Sequence, residues 1–111
     1  MTREQVRQLL NCGVTAIDVG GAGGTNFLAI EAARRQDSGY NEMLGWGIQT
    51  ALSILEARTI TAGNSCSGLI ASGGIRSALD IAKALALGAD AVGMAGNILL
   101  KIKLEGVSSA V

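Results

Sequence analysis

The sequence predicts an α/β fold: the C-terminal part of a TIM (β/α)8 barrel, with about three parallel strands and their helices. Three observations carry that expectation. Short apolar strands alternate with helix-length amphipathic segments. The segment starting at Thr2 returns, without gaps, from Ser77 onward. The chain has 16 Gly and no Pro, and the glycines cluster after strands and at helix ends.

The repeat defines the first and later elements together. "TREQVRQLLNCGVTAIDVGG" from Thr2 aligns with "SALDIAKALALGADAVGMAG" from Ser77. Thr2 and Ser77 are helix N-caps, and Gln5 and Asp80 three residues on complete capping boxes. Val6, Leu9 and Leu10 form one apolar helix face, as do Ala78, Ile81, Ala82 and Leu85. Gly13 and Gly88 stand where a helix needs a left-handed stop. Strands Ala16–Val19 and Ala91–Met94 follow, apolar nearly throughout, which suits a parallel sheet covered by helices.

Between the copies, Phe27–Arg35 reads as a short helix inside a long excursion, Ala22–Gly45. Excursions of that length after barrel strands usually carry function. Trp46–Arg58 reads as a helix with Ile48, Leu52 and Leu55 on one face, and Ser67–Ala71 as the next strand. "NILLKIKLEGVSSAV" starts as a helix and then fades. A full barrel takes about 250 residues, so residues 1–111 are expected to be one partial barrel, truncated at both ends. A small open three-layer α/β domain is the alternative.

Composition removes several function classes. With 49% apolar and 16% charged residues and a net charge of +0, the chain is globular and not a nucleic-acid binder. No apolar run reaches a bilayer span and no signal peptide opens the chain, so no membrane partner is expected. There is no His, and the two cysteines, Cys12 and Cys66, lack CxxC spacing. A Cys/His zinc site and His-based nucleophilic catalysis are therefore excluded, and no metal ligands are assigned. Both cysteines are read as small buried or half-buried side chains in a reduced, cytoplasmic protein.

The glycine turns point to an anion. In a parallel barrel, ligands bind at the carboxyl ends of strands, and backbone N–H groups of the last loops commonly hold phosphate. Gly73 and Gly74 admit close approach, Arg76 offers a forked contact, and Ala95 and Gly96 form a second lip. The competing readings are a tight turn for "SGG" and a solvated side chain for Arg76. The phosphate reading requires both turns to face the same end of the sheet. Thr25 and Asn26 in "DVGGAGGTNF" can donate to a phosphate or a flavin edge, or cap an ordinary glycine loop. Neither a GxGxxG nor a Walker A spacing is present.

"GGAGGTNFLAIEAARR", "WGIQTALS" and "ASGGIRSALDIAKALALGADAVGMAG" together resemble the C-terminal half of type 2, FMN-dependent isopentenyl-diphosphate isomerases. The resemblance covers nearly the whole chain. "SGG-x-R" and "GMAG" alone are shared with other FMN barrels. It implies interconversion of isopentenyl and dimethylallyl diphosphate, with reduced FMN as the acid–base agent, Mg²⁺ on the diphosphate and NADPH as reductant. It implies that Thr25 contacts FMN, that Gly73, Gly74, Ile75 and Arg76 form the main phosphate loop, and that Ala95 and Gly96 form the second. It implies a proton-transfer role for Glu31 and a place lining the site for Trp46. The family's FMN-binding Lys, Mg²⁺-binding Glu and catalytic Gln lie before the matched segment. The isolated chain is therefore expected to be inactive, and to associate as a homo-oligomer or with the missing N-terminal half.

Plainer readings stand beside these. Glu31 with Arg34 or Arg35 sits at helical spacing, which gives an exposed ion pair, and Trp46 can be a core indole. Two alternatives to the isomerase remain: a non-catalytic phosphate- or flavin-binding α/β half-domain, and a fragment of another FMN-barrel oxidoreductase. The absence of His weighs against the second.

Overall fold

The computed structural model describes residues 1–36, 38–63 and 68–110. Helix α1 (Arg3–Asn11) leads into strand β1 (Ala16–Asp18), then helix α2 (Phe27–Arg35) and a 3-10 turn, Ser38–Met43. Helix α3 (Thr50–Thr61), strand β2 (Gly68–Ala71), helix α4 (Ala78–Ala86), strand β3 (Ala91–Val92), and helices α5 (Gly96–Glu105) and α6 (Val107–Ala110) complete the order. The strands form one parallel sheet in the order β1-β2-β3. Ile17 is in register with Leu69, and Ala71 with Val92. This is a three-stranded part of an α/β barrel.

Local chemistry explains most boundaries. Thr2 and Ser77 cap α1 and α4, with Gln5 and Asp80 closing both capping boxes. Gly13 (φ 85°) and Gly88 (φ 108°) follow the ends of these helices in the left-handed region, where a Cβ is costly. The helix at Phe27–Arg35 has the predicted bounds, with Asn26 accepting from the Ala29 amide at its start.

Other expectations need correction. The third helix starts at Thr50, not Trp46: Gln49 pairs with Ala22 in an isolated parallel bridge, and the Ala22 amide donates to Ile48 O. Trp46 is 75% exposed and is not a core indole. On α3 the buried side chains are Ser53, Ile54, Ala57 and Thr61, while Leu52 and Leu55 are exposed. On α4, Ala84 is buried and Ile81 half-buried, while Ala78, Ala82 and Leu85 are exposed. On α1 only Val6 of the predicted face is fully buried; Leu9 is exposed. Strand β1 ends at Asp18, although the Val19 amide still donates to Ile70 O at 3.0 Å. Strand β3 stops at Val92, and the Gly93 amide donates to Ala71 O. The last segment does not fade: it forms α5 and α6. Cys12 is exposed, not half-buried, whereas Cys66 and the predicted strand residue Ser67 lie outside the described residues.

Helix α1 packs on α3, α3 on β2, and α4 on β3. The buried cluster holds Val6, Ile17, Ile54 and Leu69 between these layers. Among the described residues, one sheet face is covered in this way. Along β1, Ile17 is buried while Ala16 and Asp18 are exposed. In a closed barrel that second face is the interior, filled by side chains from the other strands. The shape agrees: extents of 42 × 41 × 24 Å make a slab. Its radius of gyration, 15.9 Å, exceeds the roughly 13 Å expected of a compact domain of this length. Among the described residues, no helix is long and apolar enough to cross a membrane.

Candidate functional site: an anion cradle at the strand ends

Parallel strands place all their carboxyl ends on one side, and here three consecutive ends open onto one cavity of about 650 Å³. The turn after β1 contributes Gly20 to Thr25 apart from Ala22, and Phe27 at the start of α2 joins it. The turn after β2 contributes Ser72 to Arg76, and the turn after β3 contributes Gly93 to Gly96. Thr25, Gly73, Gly74, Ile75, Arg76, Ala95 and Gly96, grouped from the sequence, thus line one cavity. The two phosphate-loop candidates are joined directly: the Asn97 side-chain amide donates to Arg76 O at 2.5 Å.

The glycines answer first to one another. A Cβ on Gly73 would overlap the Gly21 carbonyl oxygen, and one on Gly74 would stand 2.7 Å from the Gly23 carbonyl oxygen. A Cβ on Gly24 would lie 3.0 Å from Gly73 Cα. The first two glycine turns therefore interlock with no room for side chains. Gly73 (φ 101°) and Gly74 (φ 77°) also hold left-handed backbone that other residues rarely adopt. The Gly21 amide donates to Ser72 O at 2.9 Å and fixes the contact. Gly96 differs: a Cβ there meets nothing within 4 Å.

Donors are unevenly distributed. At the start of α4, Asp80 accepts from the amides of Arg76 and Ser77, each at 3.1 Å, and Ser77 Oγ accepts from the Asp80 amide. The Arg76 amide, with help from Ser77 and Lys83, holds the Asp80 carboxyl below the usual carboxylate range. Those donors are spent on the protein itself. At the start of α5, the N-cap is Ala95, which has no side-chain capping bond. The Arg76 guanidinium donates to Gly23 O at 3.3 Å and so lies along the rim between the first two turns. It retains further N–H groups.

Two polar residues of the cavity went unnoticed in the sequence, Asp18 and Ser72. Ser72 Oγ donates to Asp18 Oδ1 at 2.6 Å, and the Gly20 amide donates to the same oxygen at 3.1 Å. Their signal was position: each is the last or next residue of a barrel strand, where side chains reach the carboxyl-end face. Asp18 makes that end of the cavity negative.

Glu31 and Trp46 do not line the cavity. Glu31 accepts from Arg34 at 2.6 and 2.7 Å and also from Arg35. The hydrogen bonds from Arg34 first, then Arg35, hold its pKa below the ordinary carboxylate value. The ion pair read from helical spacing is present.

A family profile described as "IMP dehydrogenase / GMP reductase domain" matches residues 1–106. The chain belongs to that family. Its curated relatives narrow the likeness within the family. A Listeria innocua protein named isopentenyl-diphosphate delta-isomerase is 50% identical over 111 residues, all of this chain and 30% of the relative. Proteins of the same name from Moorella thermoacetica and Bacillus licheniformis are 53% and 49% identical, over 95% and 96% of this chain and 29% of each relative. The chain thus spans about 30% of the length of these relatives. The resemblance to isopentenyl-diphosphate isomerases is borne out.

Proposed function

We propose that this chain supplies the FMN phosphate-binding loops of an isopentenyl-diphosphate delta-isomerase, which interconverts isopentenyl and dimethylallyl diphosphate in the cytoplasm. The observation that carries this reading is the convergence of three glycine turns, Arg76 and an uncapped helix start on one cavity. A phosphate dianion needs several N–H donors and no adjacent carboxylate. The Gly73–Ile75 backbone, the first turn of α5 and the Arg76 guanidinium meet that need. Asp18 would repel a dianion, so Arg76 and the Gly96 turn would hold the phosphate, while Asp18 and Ser72 would face an uncharged, hydroxyl-bearing part of the cofactor. Thr25 and Phe27 stand on the β1 side of the same cavity. These residues would hold and orient FMN, which would supply the acid–base chemistry.

The relatives' names support the substrate assignment. In this reading Mg²⁺ and NADPH serve the whole enzyme, and no ligand for either is assigned in this chain. Exposed Leu99, Leu104 and Val107 support association with the rest of a barrel or a second copy. Glu31 keeps its proton-transfer role in this reading. Its carboxylate is held by Arg34 and Arg35 and must leave those partners to exchange a proton.

The test is a titration of the intact protein with FMN and with riboflavin, which lacks the phosphate. FMN should bind more tightly, and Arg76→Met should narrow the gap by about 10- to 100-fold, as expected for a lost charge-assisted contact. Equal affinity for FMN and riboflavin in the unsubstituted protein would sink the reading. Glu31→Gln should abolish most turnover with FMN affinity unchanged; retained turnover removes Glu31 from the proton path.

A further inference from the structure

We propose that Thr50 is the positioning residue of the cradle: from behind the Ser72–Gly74 turn, its hydroxyl fixes the peptide plane that aims the Gly74 N–H at the anion. This rests on the phosphate reading of the cavity.

Thr50, at the start of α3, lines a second cavity of about 340 Å³, between α3 and α4, and does not line the first. Gly73, Gly74 and Ile75 line both, so this turn is the partition between them. Thr50 Oγ1 donates to Gly73 O at 2.6 Å, while the carbonyl oxygens of Ala22 and Ser72 stand further off, at 3.4 and 3.5 Å. A hydroxyl has one proton, so the Gly73 bond takes it.

In a trans peptide the C=O and the following N–H point in opposite directions, and the described chain has no cis bond. A Gly73 carbonyl drawn toward Thr50 therefore turns the Gly74 N–H toward the first cavity. Among the described residues, that N–H has no hydrogen-bond partner. The two residues flanking this peptide are both glycines, both at positive φ. Such a peptide can turn over without moving any side chain. Turned over, it would present a carbonyl oxygen to the anion in place of a donor. The Thr50 bond selects the productive orientation, as a supporting shell does for a binding group. The fit is tight: a Cβ on Gly21 would overlap Thr50, so the three segments at Gly21, Thr50 and Gly73 hold one another in place.

Thr50→Val keeps the shape and removes the donor; Thr50→Ser keeps the donor. In the intact protein, Thr50→Val should weaken FMN about tenfold or more, as for one hydrogen bond to a charged group, with riboflavin affinity unchanged. Thr50→Ser should restore FMN affinity. Equal weakening of both ligands marks a merely structural role and overturns the inference, as does Thr50→Val binding FMN normally. If Thr50→Val does not fold, the unsubstituted protein still decides: inorganic phosphate should move the Gly74 amide resonance downfield, and no movement overturns the inference. FMN and riboflavin binding alike, with no substitution made, overturns the underlying phosphate reading instead.

Discussion

Helices α4 and α5 begin in the same circumstances and end up with opposite properties. Each follows a parallel strand through a small-residue turn, and each starts at the rim of one cavity. At the start of α4, Ser77 Oγ accepts from the Asp80 amide, and the Asp80 carboxylate accepts from the amides of Arg76 and Ser77 just ahead of the helix. Helix α5 starts at Ala95 without a side-chain cap, and its Asn97 side chain is turned away to the Arg76 carbonyl. A helix start carries unsatisfied N–H groups and a partial positive charge. Where the sequence supplies a carboxylate, the charge is neutralised and the start is structural. Where it supplies Ala, the same groups remain for a ligand. The turn before α4 thus contributes to the cavity through its glycine backbone and Arg76 side chain, while α5 contributes through its first turn.

The largest effect is expected where the glycine backbone itself is changed. Gly73→Ala places a Cβ against the Gly21 carbonyl oxygen and forces a side chain into left-handed backbone. It should cost about 3 kcal/mol of stability and abolish FMN binding. Gly96→Ala, whose Cβ meets nothing, should change stability by less than about 0.5 kcal/mol. Thermal unfolding and FMN titration of both variants decide it. Equal costs at the two positions would mean that the interlocked turns are not what shapes the cavity.

Giving α5 what α4 already has breaks the comparison more selectively. Ala95→Asp installs a carboxylate at an uncapped start. Helix capping should hold or raise the melting temperature, while the added charge should lower FMN affinity about 100-fold or more. Riboflavin affinity should hardly change. An Ala95→Asp protein that binds FMN as tightly as before would show that the phosphate does not use α5.

How far the sequence disclosed this follows from the range of the interactions involved. Thr2 with Gln5, Ser77 with Asp80, and the stops at Gly13 and Gly88 act over three to five residues, so their residue types suffice to place helix ends. The start of α3 was misplaced because Gln49 leaves no capping signal and Ala22 recruits residues 48 and 49 from elsewhere. Periodicity marked Leu52, Leu55 and Leu85 as inward, yet Ser53, Ile54, Ala57 and Ala84 are the buried ones. The buried face of α3 lies one residue round from the predicted one, so that Ser53, Ile54 and Ala57 turn inward in place of Leu52 and Leu55. The cavity residues on the second and third turns were legible because consecutive parallel strands must end on one side. Asp18, Ser72 and Thr50 were not, since each matters through a contact across more than twenty residues.

The smallest effect tests the self-capped start. Ser77→Ala removes the N-cap of α4 and should cost about 1 kcal/mol, with FMN affinity unchanged, because those amides already serve Asp80. The pH dependence carries a sign. Asp80 is held below its ordinary pKa in the folded state, chiefly by the Arg76 amide and then by Ser77. Its contribution is therefore full above the unfolded carboxylate pKa and is lost as pH falls through the depressed folded value. Ser77→Ala removes the second cause and leaves the first, so the acid-side loss of stability should shrink without vanishing. Denaturant unfolding across the acid range measures it. If Ser77→Ala weakens FMN as much as it weakens folding, then the first amides of α4 do reach the anion, and the division between the two helices is wrong.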